Sequence, residues 1–257
     1  MNKTLRFMAV PTLALGALAL SAAPVMAHDG AEHYQSTLGQ LNGSSASGSV
    51  TVDVTGNQAH VVLNVSGLAA TFMDAPYPHV QHIHGGAKGV CPAPSADTNG
   101  DKVVNTTEGA PSYGGIVTTL STSGDTSPAA GLDLKVAGQG AAYTVDRTFE
   151  LNAETKAALK AGTAVVVVHG LDPATLSPAA QAAKSDLVPE LPLAATSPAL
   201  CGTLTAGQMK MPTGGAATGI PTETGTDTGA LALGGGLALV ALAGGAYAVR
   251  RRTSAAA

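Results

Sequence analysis

Gly48-Ser49-Val50-Thr51-Val52-Asp53-Val54-Thr55-Gly56-Asn57-Gln58-Ala59-His60-Val61-Val62-Leu63-Asn64-Val65 is the stretch that decides the fold class. Val50, Val52 and Val54 alternate with polar residues across 48–56, so an extended chain here has one apolar and one polar face. A second β run covers 60–65, and Gly56-Asn57 between the two supplies a tight turn. The pair reads as a β-hairpin.

The strand signal recurs on the C-terminal side. Residues 80–84 read as extended, 115–121 and 143–151 carry further runs of Val, Thr and Ile, and 200–204 reads as the segment that ends the domain. Residues 163–169 contain four consecutive valines before His169, the pattern of a strand buried on both faces. One short helix is predicted: Asn152 caps it, 153–160 are mostly good helix formers, and Gly162 closes it. Many short strands, turns rich in Gly and Pro, and a single helix predict an all-β fold, an antiparallel sandwich.

The two ends of the chain read differently from its middle. Lys3 and Arg6 precede an apolar run over 8–20, and small residues lead to Val25-Met26-Ala27; 1–27 is predicted to be a signal peptide with Ala27 the last residue removed. Residues 229–249 carry no charge. As a helix, about 21 residues cover roughly 30 Å, the thickness of a hydrocarbon core. Arg250, Arg251 and Arg252 follow, and a basic cluster stays on the cytoplasmic side, so 250–257 is read as a cytoplasmic tail. Residues 205–228, mostly Thr, Gly, Pro and Ala, read as a stalk. Stalk, apolar helix and basic tail resemble a Gram-positive cell-wall sorting signal. Pro221-Thr222-Glu223-Thr224-Gly225 departs from that signal's Leu-Pro-x-Thr-Gly order, so retention by the membrane helix is the simpler reading. The expectation is an exported domain held at the cell surface, with the membrane, and in a weaker reading the cell wall, as partner.

The remaining residues, 28–204, suffice for one domain with its own core. With no Trp and few aromatics, Val, Leu and Ala must build it. The net charge of −4 and the lack of a basic patch in the exported part argue against nucleic acid as a partner. Cys91 and Cys201 are the only cysteines, and in an oxidising compartment they are expected to pair.

His82-Ile83-His84 carries the first chemical signal. Residues two apart in a strand project from one face, so both imidazoles can reach one metal ion while Ile83 turns to the core. His169, at the end of the valine strand, adds a third nitrogen, and three neutral imidazoles suit copper or zinc. His79 lies three residues before His82, faces the other way in a regular strand, and is left out of the set. His28, first after cleavage, and His33 could also chelate copper with the terminal amine, although a solvated polar tail accounts for both.

In order along the chain, His82-Ile83-His84, Cys91, Val166-Val167-Val168-His169 and Leu200-Cys201-Gly202-Thr203-Leu204 resemble the Cu/Zn superoxide dismutase superfamily over roughly 35–205. The resemblance implies an antiparallel Greek-key β-sandwich, with His82, His84 and His169 as copper ligands and Cys91–Cys201 as the intrasubunit disulfide. The front of the domain is also similar to the CHRD module, named after chordin, through Thr37-Leu38-Gly39, Val50-Thr51-Val52, Val65-Ser66-Gly67-Leu68 and His82-Ile83-His84-Gly85-Gly86. The departures bear on activity. No histidine lies between His84 and His169, so the bridging and zinc-binding histidines are missing. Thr196-Ser197-Pro198-Ala199-Leu200 stands where the guiding arginine would be. A cationic group draws superoxide in, so weak or no dismutase activity is expected.

Where a zinc loop would lie, Asp97-Thr98-Asn99-Gly100-Asp101-Lys102-Val103-Val104-Asn105-Thr106-Thr107-Glu108 has the spacing of a calcium loop. Asp97, Asn99, Asp101, Asn105 and Glu108 supply oxygens, Val103 its carbonyl, and Val104 the apolar anchor. Lys102 stands where glycine makes the sharp turn and must take a positive φ. The leading reading is a surface-tethered domain that binds copper or zinc. A copper-only superoxide dismutase is the second reading, and a structural or adhesive module stiffened by calcium the third. A cation beside the three histidines would favour the enzyme; a bonded histidine pair with no open position would favour the module.

Overall fold

The computed structural model describes residues 31–207. The segments read as signal peptide (1–27), membrane helix (229–249) and basic tail (250–257), together with His28 and nearly all of the segment read as a stalk, lie outside them. Among the described residues no helix is long and apolar enough to cross a membrane.

The eight longer strands are β1 (Glu32–Gln40), β2 (Ser47–Thr55), β3 (Gln58–Ser66), β4 (Gln81–Gly85), β5 (Gly115–Thr119), β6 (Ala142–Glu150), β7 (Val165–His169) and β8 (Pro198–Thr203). They form one antiparallel sheet in the order β6-β3-β2-β1-β8-β7-β4-β5, with the two-residue strand Thr205–Ala206 also pairing to β1. Thr205 and Ala206, read from the sequence as the start of a stalk, pair instead with Gln35 and Tyr34 of β1. The expected hairpin is β2–β3, closed by Gly56-Asn57 with Gly56 at φ 61°. The strand β1 had no clear alternation to announce it.

The fold is all-β, but its halves are not two separate sheets. Residues 32–38 of β1 pair with β2, while Gly39 and Gln40 pair with β8, so one sheet curls round on itself. Val50, Val52, Val61, Leu63, Val145 and Phe149 from one half meet Ile83, Val166, Val168 and Leu200 from the other in a single apolar core. Burial of such side chains, about 1.5–3 kcal/mol each, is the main stabilising term.

The predicted helix is present as α2 (Ala153–Ala161): Asn152 Oδ1 accepts from Thr155 N–H, and Gly162 ends it in the left-handed region. Three further short helices were not expected: α1 (Thr106–Tyr113), α3 (Pro178–Ala182) and α4 (Leu193–Thr196). Gly109 and Pro111 make α1 a poor helix by propensity, and its start is held by a capping box between Asn105 and Glu108. These two were read as the ninth and twelfth calcium positions.

Candidate metal centre

Strand β4 lies between β7 and β5, with His82 opposite Val167 and Thr119, and His84 opposite Val165 and Ile116. Alternation sends Ile83 into the main core and both histidines to the opposite face. On β7 the same alternation sends Val166 and Val168 to the core and places Val165, Val167 and His169 on the histidine face. The pairing register shifts between Ile83 and His84 and again between Val168 and His169, where local kinks re-aim side chains. On this face Val165, Val167, Cys201 and Tyr113 form a second small core. Cys91 is bonded to Cys201, so the segment carrying α1 is tied down over the strands.

The three imidazoles meet. Ring centroids are 5.5 Å apart for His82–His84, 5.3 Å for His82–His169 and 6.1 Å for His84–His169. One ring nitrogen from each lies within 4.8 Å of those from the other two, so the group could hold a metal ion. That limit is slightly wider than the 4 Å that twice a metal–nitrogen bond of about 2 Å would set. It is far short of the doubled separation that would exclude a shared ion.

Each ring is fixed from behind by a backbone carbonyl. His82 Nε2–H donates to Gly131 O at 2.8 Å, His84 Nδ1–H to Gly114 O at 2.9 Å, and His169 Nδ1–H to Thr196 O at 2.7 Å. The three carbonyls come from three different connections: β4–β5, β5–β6 and β7–β8. The second nitrogens, His82 Nδ1, His84 Nε2 and His169 Nε2, are buried with no hydrogen-bond partner among the described residues. A buried lone pair without a partner is destabilising, and three converging ones fit a cation. Gly114 is required by geometry as well as position: its φ is 92°, and a Cβ there would lie 1.9 Å from Gly85 O.

The electrostatics favour neutral rings. Burial, reinforced by His169, pushes His84 down to about 3. Burial lowers His169 to about 4, against the opposing pull of the Thr196 carbonyl and Asp186. His82 is held well below its ordinary value by burial and by the other two rings. Neutral imidazoles with free lone pairs are what a metal needs.

A cavity of about 230 Å³ opens at the cluster, lined by all three histidines and by Val80, Thr106, Ala110, Gly114, Gly115, Ile116, Leu132, Leu187 and Thr196. No charged side chain lines it. His84 also packs edge-on against Tyr113, with centroids 4.7 Å apart.

Sequence reading missed the carbonyls of Gly114, Gly131 and Thr196, because any residue type supplies a carbonyl. It also gave His79 no role. That ring is fully buried, with Nδ1 2.9 Å from His169 O and Nε2 3.0 Å from Ala69 O. Both nitrogens face backbone carbonyls, one of which accepts the ring's N–H, so His79 sits as a brace against the backbone of His169 rather than in the cluster. His33, on the outer face of β1, pairs with Asp53.

The second set of donors, in 97–108, is arranged differently. Lys102 takes φ 73°, as the spacing required, and Val103 and Val104 are buried. Asp97 accepts from Gly100 and Lys102 N–H, Asn99 from Asp101 N–H, and Asp101 from Val103 N–H. Glu108 Oε1 accepts from Thr98 and Asn99 N–H, while its Oε2 accepts from Asn105 N–H. Burial raises Glu108, but these bonds from Thr98, Asn105 and Asn99 together hold it below the usual carboxylate range. Among the described residues the three histidines are the only group of three or more His, Cys, Asp or Glu with donor atoms within 4.8 Å. Asn42 fixes the loop to β8: its amide donates to Val104 O and Pro198 O, and its oxygen accepts from Val104 N–H. Neither a family model, nor a curated protein, nor a solved structure matches the chain.

Proposed function

We propose that this chain is an exported, membrane-anchored domain that binds copper or zinc through His82, His84 and His169 and has weak or no dismutase activity. The observation that carries it is the set of three buried, converging ring nitrogens, each left free because the other nitrogen of its ring donates to a carbonyl. The ion would supply a Lewis-acid or redox centre. The protein supplies neutral donors, fixed tautomers and a largely apolar wall. The likeness of the motif order to the Cu/Zn superoxide dismutases, with CHRD-like features in front, supports a Greek-key reading of the curled sheet.

Low dismutase activity is supported by the cavity lining, which holds no Lys or Arg to draw in an anion. An open position beside the nitrogens weighs against a purely structural module. Calcium in the 97–108 loop is a separate part of the proposal, supported by the left-handed turn at Lys102. Export and anchoring rest on the sequence pattern of 1–27 and 229–252.

Metal analysis of the purified chain tests the site. One copper or zinc ion per chain is expected, and it should be lost when His82, His84 or His169 is changed singly to Ala. An ion retained at full stoichiometry in all three variants contradicts the proposal. For the anchor, a chain ending before Gly229 should be released into the medium; its retention in the membrane fraction would overturn that part.

A further inference from the structure

Resting on the three-histidine reading, we propose that this pocket selects ions by charge, holding monovalent cuprous copper in preference to cupric copper or zinc. The donors contribute no negative charge, since each imidazole is neutral and donates its one N–H to a carbonyl. A carboxylate behind a ligating histidine would add charge, but all three second partners here are backbone oxygens. The wall is equally bare, being formed by Val80, Ala110, Ile116, Leu132 and Leu187. The hydroxyl of Thr106 donates to Thr196 O, and that of Thr196 is shared with Ser185. The carboxylate with most influence on the cluster, Asp186, is exposed and bonded to Thr107 N–H.

The cost of burying an ion scales with the square of its charge, so an uncompensated divalent ion is penalised far more than a monovalent one. Coordination number acts in the same direction. A filled-shell cuprous ion is satisfied by three nitrogens, whereas zinc seeks four ligands, and the fourth here would be water against an apolar wall.

Chelator competition on the full-length chain tests this, with bicinchoninate under reducing conditions for cuprous ion and chromophoric chelators for cupric ion and Zn²⁺. Cuprous ion should bind at least about 100-fold more tightly than either divalent ion. Leu132 and Leu187 are 53% and 46% exposed at the rim, so charge can be added there without disturbing the core. Leu187→Asp and Leu132→Asp should each narrow the ratio by about tenfold or more, while Leu187→Asn, which adds a polar group but no charge, narrows it by clearly less. A ratio below about 100-fold, or one that neither carboxylate variant moves, overturns the inference while leaving the metal site standing. Failure to hold any of the three ions at one per chain overturns the metal-site reading itself, and this inference with it.

Discussion

The three-histidine cluster and the 97–108 loop both looked like metal sites in the sequence, and they differ in where their lone pairs go. In the cluster, three buried nitrogens converge with no partner among the described residues. In the loop, Asp97, Asn99, Asp101, Asn105 and Glu108 all accept from the loop's own N–H groups. The cluster is unfavourable until something accepts its lone pairs, whereas the loop already satisfies itself. A spacing motif therefore shows which donors can gather, and burial with unmet hydrogen bonding shows which are poised for an ion.

The disulfide joins the two regions, because Cys91 begins the segment that carries both the loop and α1. Removing it in a Cys91→Ser, Cys201→Ser double variant should give the largest effect of any substitution at neutral pH. Closing a loop of 110 residues restricts the unfolded chain by about 4–5 kcal/mol. Urea unfolding should show a loss of that order, together with faster proteolysis of 91–115. An unchanged midpoint would mean that the cover is held by other contacts.

The carbonyl clamp should separate the regions. Gly114→Ala forces the Gly114 carbonyl away from His84, and metal affinity should fall by about 10–100-fold, as for other partners of metal-binding histidines. Asn42 and the capping box should keep 97–108 protected from protease in this variant. Equal loss in both regions would show that the clamp is only a general fold contact.

Acid should affect the cluster and leave the loop largely alone. The folded pKa values of the three histidines lie below their unfolded value of about 6.5, so below that pH the unfolded chain binds more protons. Stability of the metal-free chain should be full above pH 6.5 and fall as pH drops toward 4. The slope is at most about 1.4 kcal/mol per pH unit for each histidine. Urea titrations across this window check it, and His84→Gln should reduce the slope. A flat profile would mean that the rings are not neutral and buried together.

Calcium should give the smallest effect. With a dissociation constant of roughly 10⁻⁴–10⁻³ M, 1 mM calcium adds only about 0.4–1.4 kcal/mol. Protease protection of 91–115 should rise modestly with calcium in the parent chain and not in Asp97→Ala or Glu108→Ala. Identical digestion with calcium and with chelator would leave the loop as a self-bonded cap.

What the sequence made legible follows from periodicity. The β2–β3 hairpin, the doubly buried Val165–His169 strand, the capped helix after Asn152 and the pairing of His82 with His84 on one face all rest on side-chain alternation or end signals. The disulfide was legible because only two cysteines exist. Helix α1 was not, since Asn105 and Glu108 serve equally as calcium positions and as a capping box. The three carbonyl clamps were hidden for a different reason: Gly131 and Thr196 act through backbone atoms, placed only once distant connections fold over the sheet.

X-ray absorption on the full-length chain loaded with one equivalent of copper reads directly whether the three histidines share one ion. Three nitrogen neighbours at about 2.0 Å with the outer-shell scattering of imidazole are expected, and one fewer in His169→Ala. A shell dominated by oxygen, or one unchanged by His169→Ala, would contradict a shared site.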